Sequence, residues 1–253
     1  ETGVKHKKTF DYIFNKTEAI TLEQSKLTLS KDITVLSFSD SSMVDRNSSI
    51  IKVDSGWIVY SKNSESSILS FTSDGQFSGY IGHRGNGPGE YTSVYDVVVN
   101  QKSKVLEVLS DGGIFCYTFG GDFLDKKEVT YPAFSFAIDD RQNYWFYVGN
   151  NTTYGDAKMI CTDENIANVA YYLHQKSNML PMVENNFGRN GEWLTFHESL
   201  NHDLYTIENG KLDLSYAMDF PNYKLPKKLH ELSGMEVIEE LQRSNYASII
   251  NYL

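Results

Sequence analysis

Short runs of alternating apolar and polar residues, separated by pairs of turn-forming residues, recur along most of the chain. Four hairpins have turns at Gly75, Gly121, Asn165 and Gly210, at intervals of 46, 44 and 45 residues. Each turn lies between two apolar stretches, the pattern typical of paired antiparallel strands. The nearly equal spacing predicts a repeated unit of about 45 residues.

A further strand precedes each hairpin, and in three of the four units another apolar strand precedes that one. The strands directly before the hairpins are Trp57–Tyr60, Val105–Val108, Tyr144–Tyr147 and Trp193–Phe196. Because four short strands in about 45 residues make a propeller blade, the predicted fold class is an all-β propeller. The predicted blades span residues 49–81, 93–129, 133–173 and 184–220. The first strand of the fourth unit, near Asn185–Phe187, is poorly patterned.

The connection between the first two units is unusually rich in glycine and proline. It contains Gly82, Gly85, Gly87, Pro88 and Gly89, a density that neither a strand nor a helix tolerates. It lacks the Gly-Lys-Ser/Thr ending of a P-loop, and it leads into a strand rather than a helix. We therefore interpret it as a shaped connection between two sheets and not as a phosphate site.

Both ends of the chain depart from the repeat. Residues 1–18 form a polar tail before a single propeller domain, 19–253, in which 19–23 and 33–38 predict strands. Residues 226–243 have apolar positions near helical spacing and predict an amphipathic helix, either an insertion on the rim or a docking element. Residues 246–253 predict the first strand of a further blade. We expect a longer propeller that is cut there, or else a composite last blade.

Composition narrows the function classes. The net charge of −10 argues against nucleic acid, whose binding depends on basic side chains at phosphates. Cys116 and Cys161 fall on the third strands of their units, about 10 Å apart in neighbouring sheets, so we expect buried free thiols. No transmembrane run of about 20 apolar residues is found. The start at Glu1 without an initiator Met is compatible with a removed signal peptide.

The residues from Ser67 to Tyr91 resemble an NHL-type repeat. A strand and an Asp-Gly turn are followed by Phe-x-x-x-Ile-Gly and then by Gly-x-Gly-Pro-Gly-Glu-Tyr. Together with Ile20–Glu23, the motif at Gly85–Tyr91 makes residues 19–220 similar to the six-bladed β-propeller family common in gut Bacteroidetes. The resemblance implies six blades in the intact protein and a periplasmic or cell-surface location, with a lipid anchor possible in the precursor. It implies no settled chemistry.

Candidate ligand-binding residues follow from the usual position of propeller sites, at the channel mouth and on the connections into the innermost strands. They are His83, Arg84, Glu90, Tyr91, Tyr95, Asp96, Arg189, Trp193 and His197. Each has a structural alternative, such as Glu90 binding loop amides or Tyr91 packing between blades. No catalytic residue, metal or cofactor is assigned, because the stretch His197–His202 lacks zinc-motif spacing and no calcium loop or nucleophile elbow occurs.

Three functions remain open at this point. The leading hypothesis is a non-enzymatic, extracytoplasmic propeller that binds a glycan or a protein. One alternative is a lyase or hydrolase that uses carboxylates or a metal at the channel mouth. Another is an assembly module that docks through the helix predicted at 226–243. The fold alone does not decide between them.

Overall fold

The computed structural model describes residues 32–37, 44, 48–62, 67–151, 155–174, 185–191, 193–218, 226, 229, 231–232 and 235–243. In this part of the chain, four antiparallel sheets of four strands each pair in sequence order. The protein is an all-β propeller of four-stranded blades, as the repeat predicted. No helix in the described ranges has the length and apolar character needed to cross a bilayer.

Each blade is one sheet of four consecutive strands. Blade 1 comprises β1 (Ser49–Val53), β2 (Gly56–Tyr60), β3 (Ile68–Thr72) and β4 (Phe77–Ile81). Two short parallel strands follow, β5 (His83–Arg84) and β6 (Glu90–Tyr91). Blade 2 comprises β7 (Asp96–Asn100), β8 (Val105–Ser110), β9 (Gly113–Tyr117) and β10 (Phe123–Lys127).

The second half of the described chain repeats this arrangement. Blade 3 comprises β11 (Ser135–Ile138), β12 (Tyr144–Tyr147), β13 (Met159–Thr162) and β14 (Ala170–Tyr172). Blade 4 comprises β15 (Phe187–Asn190), β16 (Trp193–Phe196), β17 (Asp203–Glu208) and β18 (Lys211–Ala217). All four sheets lie inside the stretches where the repeat predicts blades. The poorly patterned first strand of blade 4 does form, at β15.

The first strand of each blade lies innermost. Strand β11 contacts both β7 and β15, and these three strands together with β1 line a central channel. We call the end of the channel at which the innermost strands begin the upper end. The lower end is where they turn into the second strands. The connections between blades and those between second and third strands therefore lie at the upper end, and the other turns within each blade lie at the lower end.

The core lies between neighbouring blades. On β12, Tyr144 and Phe146 pack toward blade 2, whereas Trp145 and Tyr147 pack toward blade 4. Both faces of this strand are buried, which explains why four consecutive residues are aromatic. Cys116 on β9 and Cys161 on β13 are buried free thiols, as predicted.

The helical prediction is only partly correct. The α-helix α1 spans Met235–Arg243, so it covers the second half of the predicted range 226–243. Before it, the amide of Leu229 bonds the carbonyl of Pro226, and the amide of Leu232 bonds that of Leu229, which are isolated turns. Ser233-Gly234, with low helix propensity, separates these turns from α1 in the sequence.

The strand predicted at 33–38 is wrong in its described part, 32–37. Only Ser37 pairs, in a single parallel bridge to Gln76. Ile33 and Val35 are exposed, so the apolar alternation that suggested a strand does not face a core. The predicted tail 1–18, the strand 19–23 and the strand 246–253 lie outside the described residues.

Candidate functional site

The glycine-rich loop between β4 and β7 is held by its own carboxylate. The parallel pairing of β5 with β6 places His83 opposite Glu90. An oxygen of the Glu90 carboxylate accepts the Gly87 amide at 2.8 Å, and a Cβ on Gly85 would lie 1.9 Å from that oxygen. The carboxylate thus occupies the position that a bound anion would need. This geometry agrees with a structural connection rather than a phosphate site.

Two neighbouring candidates take different positions on this loop. Tyr91 is fully buried, and its hydroxyl donates to the Ile81 carbonyl at 3.2 Å and accepts from the Ile68 amide at 3.3 Å. Burial raises the pKa of Tyr91, so its hydroxyl stays protonated. Tyr91 therefore ties blade 1 to the loop. His83 and Arg84 are exposed, and Nε of Arg84 donates to the Thr92 carbonyl.

Tyr95 belongs to a hydroxyl cluster around Asp111, a residue that the sequence analysis missed. The hydroxyls of Thr92, Ser93 and Tyr95 all donate to the Asp111 carboxylate. These hydrogen bonds lower the pKa of Asp111, and the bond to Asp111 raises the pKa of Tyr95. The cluster fastens the loop to the β8–β9 turn at the upper end.

Asp96, at the start of β7, joins three blades. It forms an ion pair with Lys62 of blade 1 at 2.9 Å, and it accepts the Phe136 amide of blade 3 at 3.1 Å. The side chains of Lys62 and Asp96 are only 9% and 8% exposed. Tyr60 also hydrogen-bonds to Asp96, and burial, with the Asp96 charge next, raises the pKa of Tyr60. The Asp96 carboxylate is therefore paired with a cation and hydrogen-bonded to groups of blades 1 and 3.

Glu198 repeats this arrangement between blades 3 and 4. Its carboxylate forms an ion pair with Lys158 at 2.8 Å and accepts the Tyr147 hydroxyl at 3.0 Å. Asn201 also donates to it at 3.0 Å. The tyrosine ends the second strand and the lysine lies between the second and third strands, as Tyr60 and Lys62 do in blade 1. No spacing signal in the sequence identified this pair, because its partners are distant in sequence.

A third buried carboxylate lies between blades 2 and 3, on β8. Glu107 accepts the Tyr144 hydroxyl at 2.7 Å and the Asn100 amide at 3.0 Å, and Lys127 lies 3.8 Å away. Burial, with the Glu107 charge next, raises the pKa of Cys116 to about 12. A thiol in this state carries almost no thiolate and is unreactive near neutral pH.

The central channel is a cavity of about 460 Å³. Its wall is mainly apolar, from Ile50, Ile51, Val97, Val98 and Phe136. A few polar side chains interrupt this wall: Ser49, Tyr60, Lys62, Asp96, Gln101, Asn185, Asn186 and Arg189. An apolar cavity with few convergent polar groups is the usual form of a ligand site.

A wider cleft of about 1190 Å³ lies at the lower end. It shares wall residues with the channel, namely Val99, Gln101, Ile138, Arg189 and Leu194. Its other polar wall residues include Asn100, Lys102, Asp140, Gln142, Thr206, Glu208, Asn209 and Asp213. The shared residues make the channel and the cleft neighbouring parts of one site, which we call the lower site.

The three candidates from blade 4 separate between the two ends. Arg189 and Trp193 lie on β15 and β16 next to the lower turn, where both line the cleft. His197 lies at the upper end and is half-buried, and its backbone pairs with Asn186. Of the candidate residues, Asp96 and Arg189 line the channel. The structure does not bring His83, Arg84 or Glu90 into either cavity wall.

Trp193 is 66% exposed, but its place in the sheet indicates packing. Leu194 and Phe196 face blade 3, so Trp193 points to the opposite side of blade 4. On the same face of blade 3, Trp145 and Tyr147 are buried against blade 4. The exposure of Trp193 arises because no described sheet covers this face. In the described residues, no group of three or more His, Cys, Asp or Glu side chains is placed to hold a metal.

A family model described as a domain of unknown function, DUF4934, matches residues 7–253, so the chain belongs to that family. The sequence matches none of the curated proteins. Among solved structures, it is similar to a Bacteroides fragilis protein assigned as exported, with a TM-score of 0.73 and 15% identity. That match covers 85% of this chain and 64% of the other, so the chain spans less than two thirds of that protein.

Two further structures are more distant. A Bacteroides vulgatus protein of the DUF4221 family has a TM-score of 0.49 at 10% identity, over 76% of this chain and 63% of that one. A virginiamycin B lyase from Staphylococcus aureus has a TM-score of 0.43 at 16% identity, over 70% and 55%. At these identities the likeness to the B. fragilis protein concerns the fold, and the two distant structures decide nothing about chemistry.

Proposed function

We propose that this member of the DUF4934 family is an extracytoplasmic propeller that binds a glycan at the lower site. The observation that carries the proposal is the channel of about 460 Å³, a mainly apolar cavity with eight polar side chains in its wall, which opens beside a wide polar cleft. Its volume falls in the range of about 300–1,000 Å³ that is typical of ligand pockets.

The polar groups of the cleft favour a sugar over an apolar ligand. Gln101, Gln142 and Asn209 offer amides, Asp140 and Glu208 offer carboxylates, and all five are exposed or half-buried. Amides donate and accept, and carboxylates accept, so together they match the hydroxyl groups of a sugar. The apolar channel wall suits the C–H faces of the same rings.

The channel also favours binding over carboxylate chemistry. Asp96 is the one carboxylate among the described residues that line it, and its oxygens already bond Lys62 and the Phe136 amide. Glycoside hydrolysis by paired carboxylates needs two such groups that face the substrate, so the channel alone does not supply them. We assign the exposed carboxylates of the cleft to binding sugar hydroxyls.

The rest of the proposal concerns the whole protein. The likeness to the exported B. fragilis protein supports the proposed periplasmic or cell-surface location. A lipid anchor on the precursor is proposed from the family resemblance alone. Further NHL-like blades, for a six-bladed ring, are also part of the proposal, because Trp145 and Tyr147 on the outward face of blade 3 are covered by the next blade.

A glycan array followed by isothermal titration calorimetry tests the proposal. Gln101 is exposed and lines both cavities, so Gln101→Ala should weaken binding roughly twofold to tenfold, the contribution of a neutral hydrogen bond. Gln76→Ala is the matched control, since Gln76 is exposed and lines neither cavity. The proposal is wrong if no glycan binds, if Gln101→Ala binds as the wild type does, or if only a protein partner is found.

A further inference from the structure

We infer that the glycan carries a carboxylate, as a uronic acid does, and that Arg189 binds this group at the junction of channel and cleft. The inference rests on the proposed function and names its ligand class. It follows from which charges at the lower site are already paired and which are not.

The described side chains of the channel wall include three charged groups, Lys62, Asp96 and Arg189. Lys62 and Asp96 neutralise each other, since they form a buried ion pair at 2.9 Å. No described carboxylate lies within ion-pairing distance of Arg189. Among the described side chains, the wall therefore carries one positive charge that no carboxylate pairs with, in a chain whose net charge is −10.

Arg189 is held in place with donors to spare. Its Nη2 donates to the Ile138 carbonyl of the neighbouring blade, which fixes the guanidinium across the lower end of the channel. A guanidinium has five N–H donors, and this exposed side chain lines both cavities, so donors remain available to a ligand there. The planar guanidinium matches a carboxylate through two parallel hydrogen bonds, which lysine does not reproduce.

The other charges of the cleft orient such a ligand. Asp140, Glu208 and Asp213 are exposed on the cleft wall and repel a second carboxylate. The exposed Lys102, by contrast, is a point charge without the planar fork by which Arg189 pairs with a carboxylate. The oxygens of the three carboxylates instead accept sugar hydroxyls. The acidic group should therefore lie toward the channel, at Arg189, while the hydroxyl-rich part of the glycan lies in the cleft.

The test compares an oligogalacturonate with its methyl ester, which has the same ring skeleton without the charge. We expect the wild type to bind the acid more tightly than the ester by about tenfold or more, as a charge-assisted hydrogen bond implies. Arg189→Gln should remove this preference, and Arg189→Lys should restore only part of it. Arg84→Gln is the control, because Arg84 is an exposed arginine at the upper end that, like Arg189, bonds a backbone carbonyl and lines neither cavity.

The outcomes separate this inference from the proposed function. Equal affinity for the acid and the ester would contradict recognition of a carboxylate but not glycan binding. The same holds if the array shows binding of neutral glycans only and Gln101→Ala weakens that binding. An unchanged acid preference in Arg189→Gln would also overturn the inference. If no glycan of any charge binds, both ideas fail together. Loss of the preference in Arg189→Gln but not in Arg84→Gln supports the inference.

Discussion

The two ends of the propeller use the same residue types in opposite ways. At the upper end, Lys62 and Asp96 are buried and paired, and Lys158 and Glu198 repeat this between the next two blades. At the lower end, Arg189 has no described carboxylate partner and faces open cavities. In this fold, a charged side chain therefore indicates a ligand site only where the neighbouring blade does not supply its ion-pair partner.

The topology explains the difference. The upper end receives the connections between blades and also those between second and third strands. Lys62, Lys158 and Glu198 lie on the latter, each paired with a carboxylate or lysine of a neighbouring blade. A buried charge is costly unless it is paired and hydrogen-bonded. At the lower end, Asp139 is buried and bonded within its own turn, whereas Arg189 stays exposed.

The largest effect is expected at the upper pair. Asp96→Ala leaves Lys62 buried without its partner and removes the acceptor of the Phe136 amide, so it should cost about 3–5 kcal/mol of unfolding free energy. Urea denaturation measures this loss. The control Asp54→Ala breaks the exposed pair of Asp54 with Lys104 and should cost less than about 1 kcal/mol. Equal losses of unfolding free energy in the two variants would show that the buried pair stabilises the fold no more than the exposed pair does.

The pair between blades 3 and 4 sharpens the comparison. Lys158→Met leaves the Glu198 carboxylate buried and should cost about 3 kcal/mol. The double variant Lys158→Met, Glu198→Leu should lose less than the single one, because no unpaired charge remains. Both are measured by urea denaturation. If the double variant loses as much unfolding free energy as the Lys158→Met and Glu198→Leu variants lose together, an unpaired buried charge is not the cause of the loss.

The glycine-rich loop gives a smaller effect. Gly82 has φ +60°, and a Cβ there would lie 2.6 Å from the Tyr117 ring. Gly82→Ala should therefore cost about 2 kcal/mol or more, from the backbone and the clash together. Gly155, with φ +65° and nothing within 4 Å, is the control for the backbone contribution alone, about 1 kcal/mol. If thermal unfolding shows that Gly155→Ala lowers stability more than Gly82→Ala does, the close approach of Gly82 to the Tyr117 ring is contradicted.

The smallest effect concerns a surface pair. His174 lies 3.0 Å from Asp156, and this hydrogen bond raises the pKa of His174 above its usual 6.5. The stabilisation is present below about pH 6.5, the unfolded pKa, and is lost as pH rises through the higher folded pKa. NMR titration should show this pKa falling toward 6.5 in Asp156→Asn. An unchanged value would mean that Asp156 does not hold the imidazolium.

The sequence predicted the blades because each blade is specified by patterns between residues that are close in the sequence. The hairpin turns and the strand alternation are short-range patterns, and the four aromatics of β12 indicate a strand buried on both faces. It placed α1 too early, because periodicity over 226–243 continued through turns that precede Met235. It also put strand character at 33–38, where apolar residues alternate without a core to face.

Only the tertiary structure decided which candidate residues are accessible. Asp96 and Arg189 look alike as candidates in the sequence, yet one is enclosed by Lys62 and the Phe136 amide and the other lines an open junction. Glu198 and its partner Lys158 are 40 residues apart, a distance at which no spacing rule applies. The physical reason is that blade formation depends on short-range pattern, whereas the state of a charge depends on groups that the packing of blades brings beside it.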